Sequence, residues 1–171
     1  MKKDNYLIKK KYRKYKKYKD KKVYIKEEYE SKLEHVFILA FNEKDLYKRY
    51  KLIYDYMCDY LDEISHRVCD FKCDKCIANR LKKSVHDTCG CCYFRKEGLC
   101  KYLVDKKCIR PNISCKLFMC EYIEKKYLKY KSLPKNYILL DFFFNKKQKS
   151  LLQRSFKIEK EILLTKLIEL K

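Results

Sequence analysis

Ten of the eleven cysteines of this chain fall in one stretch: Cys69, Cys73, Cys76, Cys89, Cys91, Cys92, Cys100, Cys108, Cys115 and Cys120. Within it, the run CGCCYFRKEGLCKYLVDKKCIRPNISC, residues 89–115, follows neither a helical nor an alternating period. A connection longer than about 15 residues without structure of its own is unusual in a compact domain. Cysteines at this density argue against disorder, so something must pin the segment. Disulfides and thiolate-bound metal are the two chemical means.

Disulfides fit poorly. The cysteine count is odd, and Cys91 and Cys92 are adjacent. The chain starts MKKDNYLIKKKYRKYKKY, with basic residues but no apolar stretch behind them, unlike a secretory signal. The expected location is therefore cytoplasmic, where thiols stay reduced and disulfides are rare. Metal remains. Thiolates are soft ligands that select zinc, iron–sulfur clusters or copper(I), and structural zinc takes four Cys or His ligands, often from closely spaced pairs. Zinc is the first expectation, and iron or an iron–sulfur cluster is the alternative.

All ten clustered cysteines are candidate ligands, enough for two four-thiolate centres with two left over. Cys73 and Cys76 form a C-x2-C pair in FKCDKC. Cys89, Cys91 and Cys92 form a denser knot around Gly90, and neighbours in sequence chelate one ion poorly, so Cys91 and Cys92 point to different sites or to one spare thiol. Cys115 falls near an expected helix start, where the dipole favours thiolate. His66 and His86 each precede a cysteine by three positions, in HRVC and HDTC, and imidazole is a common zinc ligand. A surface histidine is the plainer reading of each, and His35 is assigned nothing.

The flanking sequence reads as helix. EEYESKLEHVFILAF, residues 27–41, places Tyr29, Leu33, Val36, Phe37 and Ala40 at helical spacing. Asn42 followed by Asp45 resembles a capped start. From there Leu46, Tyr50, Ile53, Met57, Leu61 and Ile64 make a stripe about five turns long. Cys58 lies in this helix as a small packed hydrophobe rather than a ligand. Ile77, Ala78, Leu81 and Val85 predict a short helix between the two halves of the cluster. Leu117, Cys120, Ile123, Tyr127 and Tyr130 predict one helix from Lys116 onward, with Pro134 ending it. YILLDFFF, residues 137–144, is apolar on nearly all sides and fits buried helix or strand. Leu152, Phe156, Leu163, Leu167 and Leu170 predict one final amphipathic helix. The expected fold is mainly α, with residues 27–171 forming a single helical scaffold that carries an irregular cysteine-rich metal-binding insertion. No run approaches the ~18 apolar residues of a membrane helix.

The formal net charge is +21, and residues 1–26 hold thirteen Lys or Arg against two Asp. Such an excess favours polyanions. Tyr6, Tyr12, Tyr15, Tyr18 and Tyr24 alternate with these lysines, so RNA or DNA is a candidate partner, with rings stacking on bases and lysines on phosphates. A solvated, flexible basic tail explains the same residues. A zinc-stabilised nucleic-acid-binding module using this tail is thus the second functional reading.

The order of residues 71–120 resembles the YkgJ-type family of zinc- or iron-chelating proteins. Phe71, Cys73 and Cys76 match its opening, and Cys89-Gly90-Cys91-Cys92 its double-cysteine knot. Cys100 with Leu103, Cys108 with Arg110-Pro111, and Cys115-Lys116-Leu117-Phe118 resemble its later elements. A helical insert between Cys76 and Cys89 departs from the family pattern. The resemblance implies chelation through about eight cysteines in two sites. Cys69-x3-Cys73-x2-Cys76 also has the spacing of radical S-adenosylmethionine enzymes, whose β/α barrel is at odds with helix before Cys69 and two glycines in all. No P-loop, H-E-x-x-H, GxSxG or zinc-deaminase signature is present, so no catalytic residues are assigned.

Overall fold

The computed structural model describes residues 32–72, 75–80, 100–105, 107–109, 112–130 and 138–171; for 64–68, 75, 79–80, 107–108, 121 and 127–130 it describes the backbone alone. The basic segment 1–26 lies outside the described residues, as do Tyr29, Leu81, Val85 and Pro134.

The described chain is mainly helical. Helix α1, Lys32–Asn42, buries Val36, Phe37, Ile38 and Ala40, and a three-residue turn leads into α2, Leu46–Val68. Asp45 accepts the Lys48 N–H at 3.0 Å and so caps α2, satisfying one of the donors a helix start leaves open. Asn42, expected to share that role, instead ends α1. The Arg49 side chain reaches back to the Glu43 carbonyl, 2.9 Å from Nε, and fastens the turn.

The predicted stripe of α2 forms the centre of the molecule. Tyr50, Ile53, Met57 and Leu61 are buried, together with Tyr54 and Cys58, and Leu46 packs at their edge. Around α2 lie α1, α4 (Ile113–Leu117) and α8 (Lys160–Glu169), with α7 (Lys146–Arg154) against α4 and α8. Residues 138–143 settle as helix α6, whose Ile138, Leu139 and Leu140 are all buried. Three consecutive buried positions explain why periodicity left this run open between helix and strand. Phe142 and Phe143 meet Phe37 and Phe41 of α1 with ring centroids 5.0 to 5.8 Å apart. Such tilted and edge-on pairs add to area burial.

Two expected helices are broken. The single helix foreseen from Lys116 is α4 followed by a separate α5, Glu121–Tyr130, because Phe118 turns extended (φ −60°, ψ 136°). The break lets Leu117 pack on the main core while Cys120 and Ile123 enter a second, smaller cluster; one straight helix would have kept a single stripe. Phe118 instead meets Phe156 edge-on at 6.4 Å. Likewise the expected final helix is α7 and α8 joined at 155–159, with Leu152 buried on α7 and Leu163 and Leu167 buried on α8. Phe156 sits in the link and Leu170 just past α8.

Polar groups hold these breaks. Asn145 and Gln148 form a reciprocal capping box at the start of α7. Buried Gln148 also donates to the Tyr50 hydroxyl (3.0 Å) and the Leu167 carbonyl (2.6 Å). At the start of α4, buried Asn112 accepts the Cys115 N–H at 3.1 Å and donates to the Ser155 carbonyl at 3.2 Å. The Ile113 N–H donates to the Tyr54 hydroxyl at 3.1 Å, and Ser114 Oγ accepts from the Ser155 N–H at 2.9 Å while donating to the Leu152 carbonyl. Among the described residues, strand is confined to two small hairpins, and no helix is long and apolar enough to cross a membrane.

Removing the Asn112 side chain deletes a cap and strands a buried carbonyl. Asn112→Ala should cost about 2–3 kcal/mol in urea unfolding followed by circular dichroism. Asp45→Ala, which removes a solvent-exposed cap, should cost about 1 kcal/mol or less.

Candidate metal centre

The cysteine segment begins where α2 ends. Cys69 occupies a bend after Val68, and Asp70 leads into β1, Phe71–Lys72, which pairs antiparallel with β2, Lys75–Cys76. Phe71 stands opposite Cys76 and Lys72 opposite Lys75; Cys73 and Asp74, between the two strands in sequence, lie outside the described residues. The Ile77 N–H extends the ladder to the Asp70 carbonyl (3.0 Å), and the chain passes into α3, Ile77–Arg80, where the predicted short helix begins. Strands this short carry no stability of their own.

Asp70 ties the hairpin to α5. Its carboxylate accepts from Lys126 Nζ at 2.6 and 2.7 Å and from the Tyr122 hydroxyl at 3.0 Å. The Asp70 hydrogen bond is the first cause holding the Tyr122 phenol above its ordinary pKa, with burial second. Between these elements lies the small cluster of Ala78, Cys120 and Ile123, against which Cys76, Phe118, Met119 and Tyr122 pack.

A second hairpin repeats the design. The Leu103 N–H donates to the Cys100 carbonyl at 2.9 Å, and β3, Leu103–Val104, pairs with β4, Lys107–Cys108. Leu103 faces Cys108 across the ladder, just as Phe71 faces Cys76. The Ile109 N–H closes the base onto the Tyr102 carbonyl at 2.9 Å. Asp105 takes the positive φ of 46° at the turn, a conformation that two-residue hairpin turns need and that Asp tolerates better than most residues. β4 packs against α2.

Cys115 lies in the first turn of α4, half-buried. That helix has five residues, too short for the dipole effect expected of a longer one. Cys115 stands close enough to Tyr54 of α2 that a charge on it would raise the phenol; burial is the main cause of that raised pKa. Cys69, Cys76 and Cys100 are also half-buried, and Cys120 is buried. With Cys58, these are thiols rather than halves of disulfides. Cys108 is placed by its backbone only, and Cys73, Cys89, Cys91 and Cys92 lie outside the described residues. His66 lies on α2 without a described side chain, and His86 lies outside the described residues.

Among the described residues, no three His, Cys, Asp or Glu side chains converge as a metal site. What the fold does bring together is Cys76 and the Cys120 cluster. Sequence reasoning missed the Asp70, Tyr122 and Lys126 tie, since no local pattern links residues more than fifty positions apart. It also missed Asn112, although an Asn three residues before Cys115 is a helix-start signal. The chain matches no protein-family model, and no curated protein or solved structure matches it.

Cys58 behaves as expected of a packed hydrophobe. It is 3% exposed, and burial pushes its thiol up to about 12 despite the neighbouring Lys116 ammonium, which pulls the other way. A folded-state pKa raised from 9.0 to about 12 gives stability that is complete below pH 9 and is lost as pH rises through that window. Alkaline thermal melts should therefore fall less steeply between about pH 9 and 12 in Cys58→Ala than in the parent. Peptide mapping after iodoacetamide at pH 8 should find Cys58 unmodified until the chain unfolds.

Proposed function

We propose that the chain is a metal-binding protein whose cysteine segment holds zinc through thiolates, the ion serving mainly to fix the fold. The observation that carries this reading is the pairing of ten clustered cysteines with elements too small to stand alone. Each described hairpin has two-residue strands, and the cluster beside the first contains only three buried residues. Hairpins of that size are marginal at best in water. A structural zinc contributes folding free energy directly and replaces the missing apolar core.

The donor chemistry fits. Cysteines open and close both hairpins: Cys69 and Cys76 on the first, Cys100 and Cys108 on the second. Of the C-x2-C pair Cys73/Cys76, Cys76 ends the first hairpin, and that sequence spacing suits a zinc ligand pair. The resemblance of residues 71–120 to the YkgJ-type chelating family supports the same reading. Iron or an iron–sulfur cluster is the alternative occupant of the same thiolates.

Metal analysis of full-length protein purified anaerobically should find zinc in a colourless sample. Chelation should expose thiols across residues 69–120 and loosen the two hairpins while most helical circular dichroism persists, because the main core, α4 included, is built without hairpin residues. Broad visible absorption that bleaches on reduction would replace zinc with iron–sulfur. Absence of both metals, with the clustered thiols all freely titratable, would refute the proposal.

A further inference from the structure

We infer that Cys115 and Cys120 bind different ions, Cys120 sharing the ion of the first hairpin with Cys76 and Cys115 belonging to the other. The inference rests on the thiolate-metal reading and assigns ligands within it. Cysteines this near in sequence would ordinarily be taken as one chelating pair, as Cys73 and Cys76 are. The break between α4 and α5 parts them instead.

Cys115 belongs to the main core's edge. Its N–H is held by Asn112, and two residues earlier the Ile113 N–H is bonded to Tyr54 of α2. α4 as a whole packs against α2 and α7, and β4, which ends the second hairpin, also packs against α2. Cys115 and the second hairpin thus share a supporting helix.

Cys120 belongs elsewhere. After Phe118 turns extended, the chain carries Cys120 into the cluster with Ala78 and Ile123, where Cys76 packs. A second contact independently fixes this proximity: Asp70, at the base of the first hairpin, holds Tyr122 and Lys126 on α5. Hairpin and α5 are therefore joined at residues just past Cys120. A divalent ion held between Cys76 and Cys120 would add metal bonds to the few apolar contacts of that cluster.

The test uses the full-length, unaltered chain reconstituted with NMR-active cadmium. Cysteine β-protons of Cys76 and Cys120 should correlate with one cadmium resonance and those of Cys115 with another. Correlation of Cys115 and Cys120 with the same cadmium, or a single bound ion in total, would overturn the assignment. Zinc stoichiometry of variants gives a second readout. Cys76→Ser and Cys120→Ser should each lose one ion, their double variant no more than that one, and Cys115→Ser combined with Cys120→Ser both. Retention of the full metal content by Cys120→Ser would make it a packed hydrophobe and end the proposal. A parent chain without any metal would instead overturn the parent reading, so the two failures are distinguishable.

Discussion

The buried polar corner at residues 112–114 sets where the cysteine segment must return. An α-helix leaves its last carbonyls without partners, and burying them unsatisfied is costly. Here the end of α7 is completed from outside: Ser114 donates to the Leu152 carbonyl, and Asn112 donates to the Ser155 carbonyl. In return, the start of α4 takes the Tyr54 hydroxyl from α2 and the Asn112 side-chain oxygen for its own open donors. Three helices are thereby locked by bonds that each can make only with the others in place. α7 has to stop where it does, and the segment leaving the cysteines has to arrive beside α2.

The first hairpin depends on a different kind of attachment. It follows α2 directly and is held sideways by the Asp70 contacts to Tyr122 and Lys126, with both charges only partly shielded from water. A partly exposed ion pair is worth little by itself. The apolar contribution of Ala78, Cys120 and Ile123 is small beside the main core. The contrast between a corner of buried, mutually satisfied groups and a hairpin of modest attachments is the physical reason to look for metal in this segment rather than in the helices.

The stripe of α2 was legible because α2 is long and has one buried face, so 3.6-residue spacing survives in Tyr50, Ile53, Met57 and Leu61. The breaks after Leu117 and Arg154 were not. On either side of each break the apolar residues keep helical spacing, and what ends the helix is a tertiary contact: Phe118 against Phe156, or Ser155 bonded to Ser114. The hairpins were illegible for another reason. Strands of two residues, such as Lys75 and Cys76, cannot display an alternation. Of the site, sequence located the cysteines and separated Cys58 from the rest, because Cys58 falls on the α2 stripe's buried side. It could not foresee that Cys115 stays on α4 while Cys120 enters the smaller cluster, since that follows from the α4–α5 break.

Charge links the cysteines to the rest of the composition. A divalent ion with four thiolates carries a net negative charge, and lysines stand next to several of the cysteines: Lys75 before Cys76, Lys101 after Cys100, Lys107 before Cys108, Lys116 after Cys115. A centre with that charge would be stabilised by cations around it. In a chain with a formal charge of +21, such centres would also relieve repulsion among those lysines. Lys116 shows where the effect stops. Its side chain is 4% exposed and paired with Asp62, and it lies near enough to lower the pKa of Cys58. Burial in the main core nevertheless prevails, and Cys58 stays a neutral thiol. Cys69, Cys76, Cys100 and Cys115 are instead half-buried, and Cys120 is buried only in the small cluster beside the first hairpin.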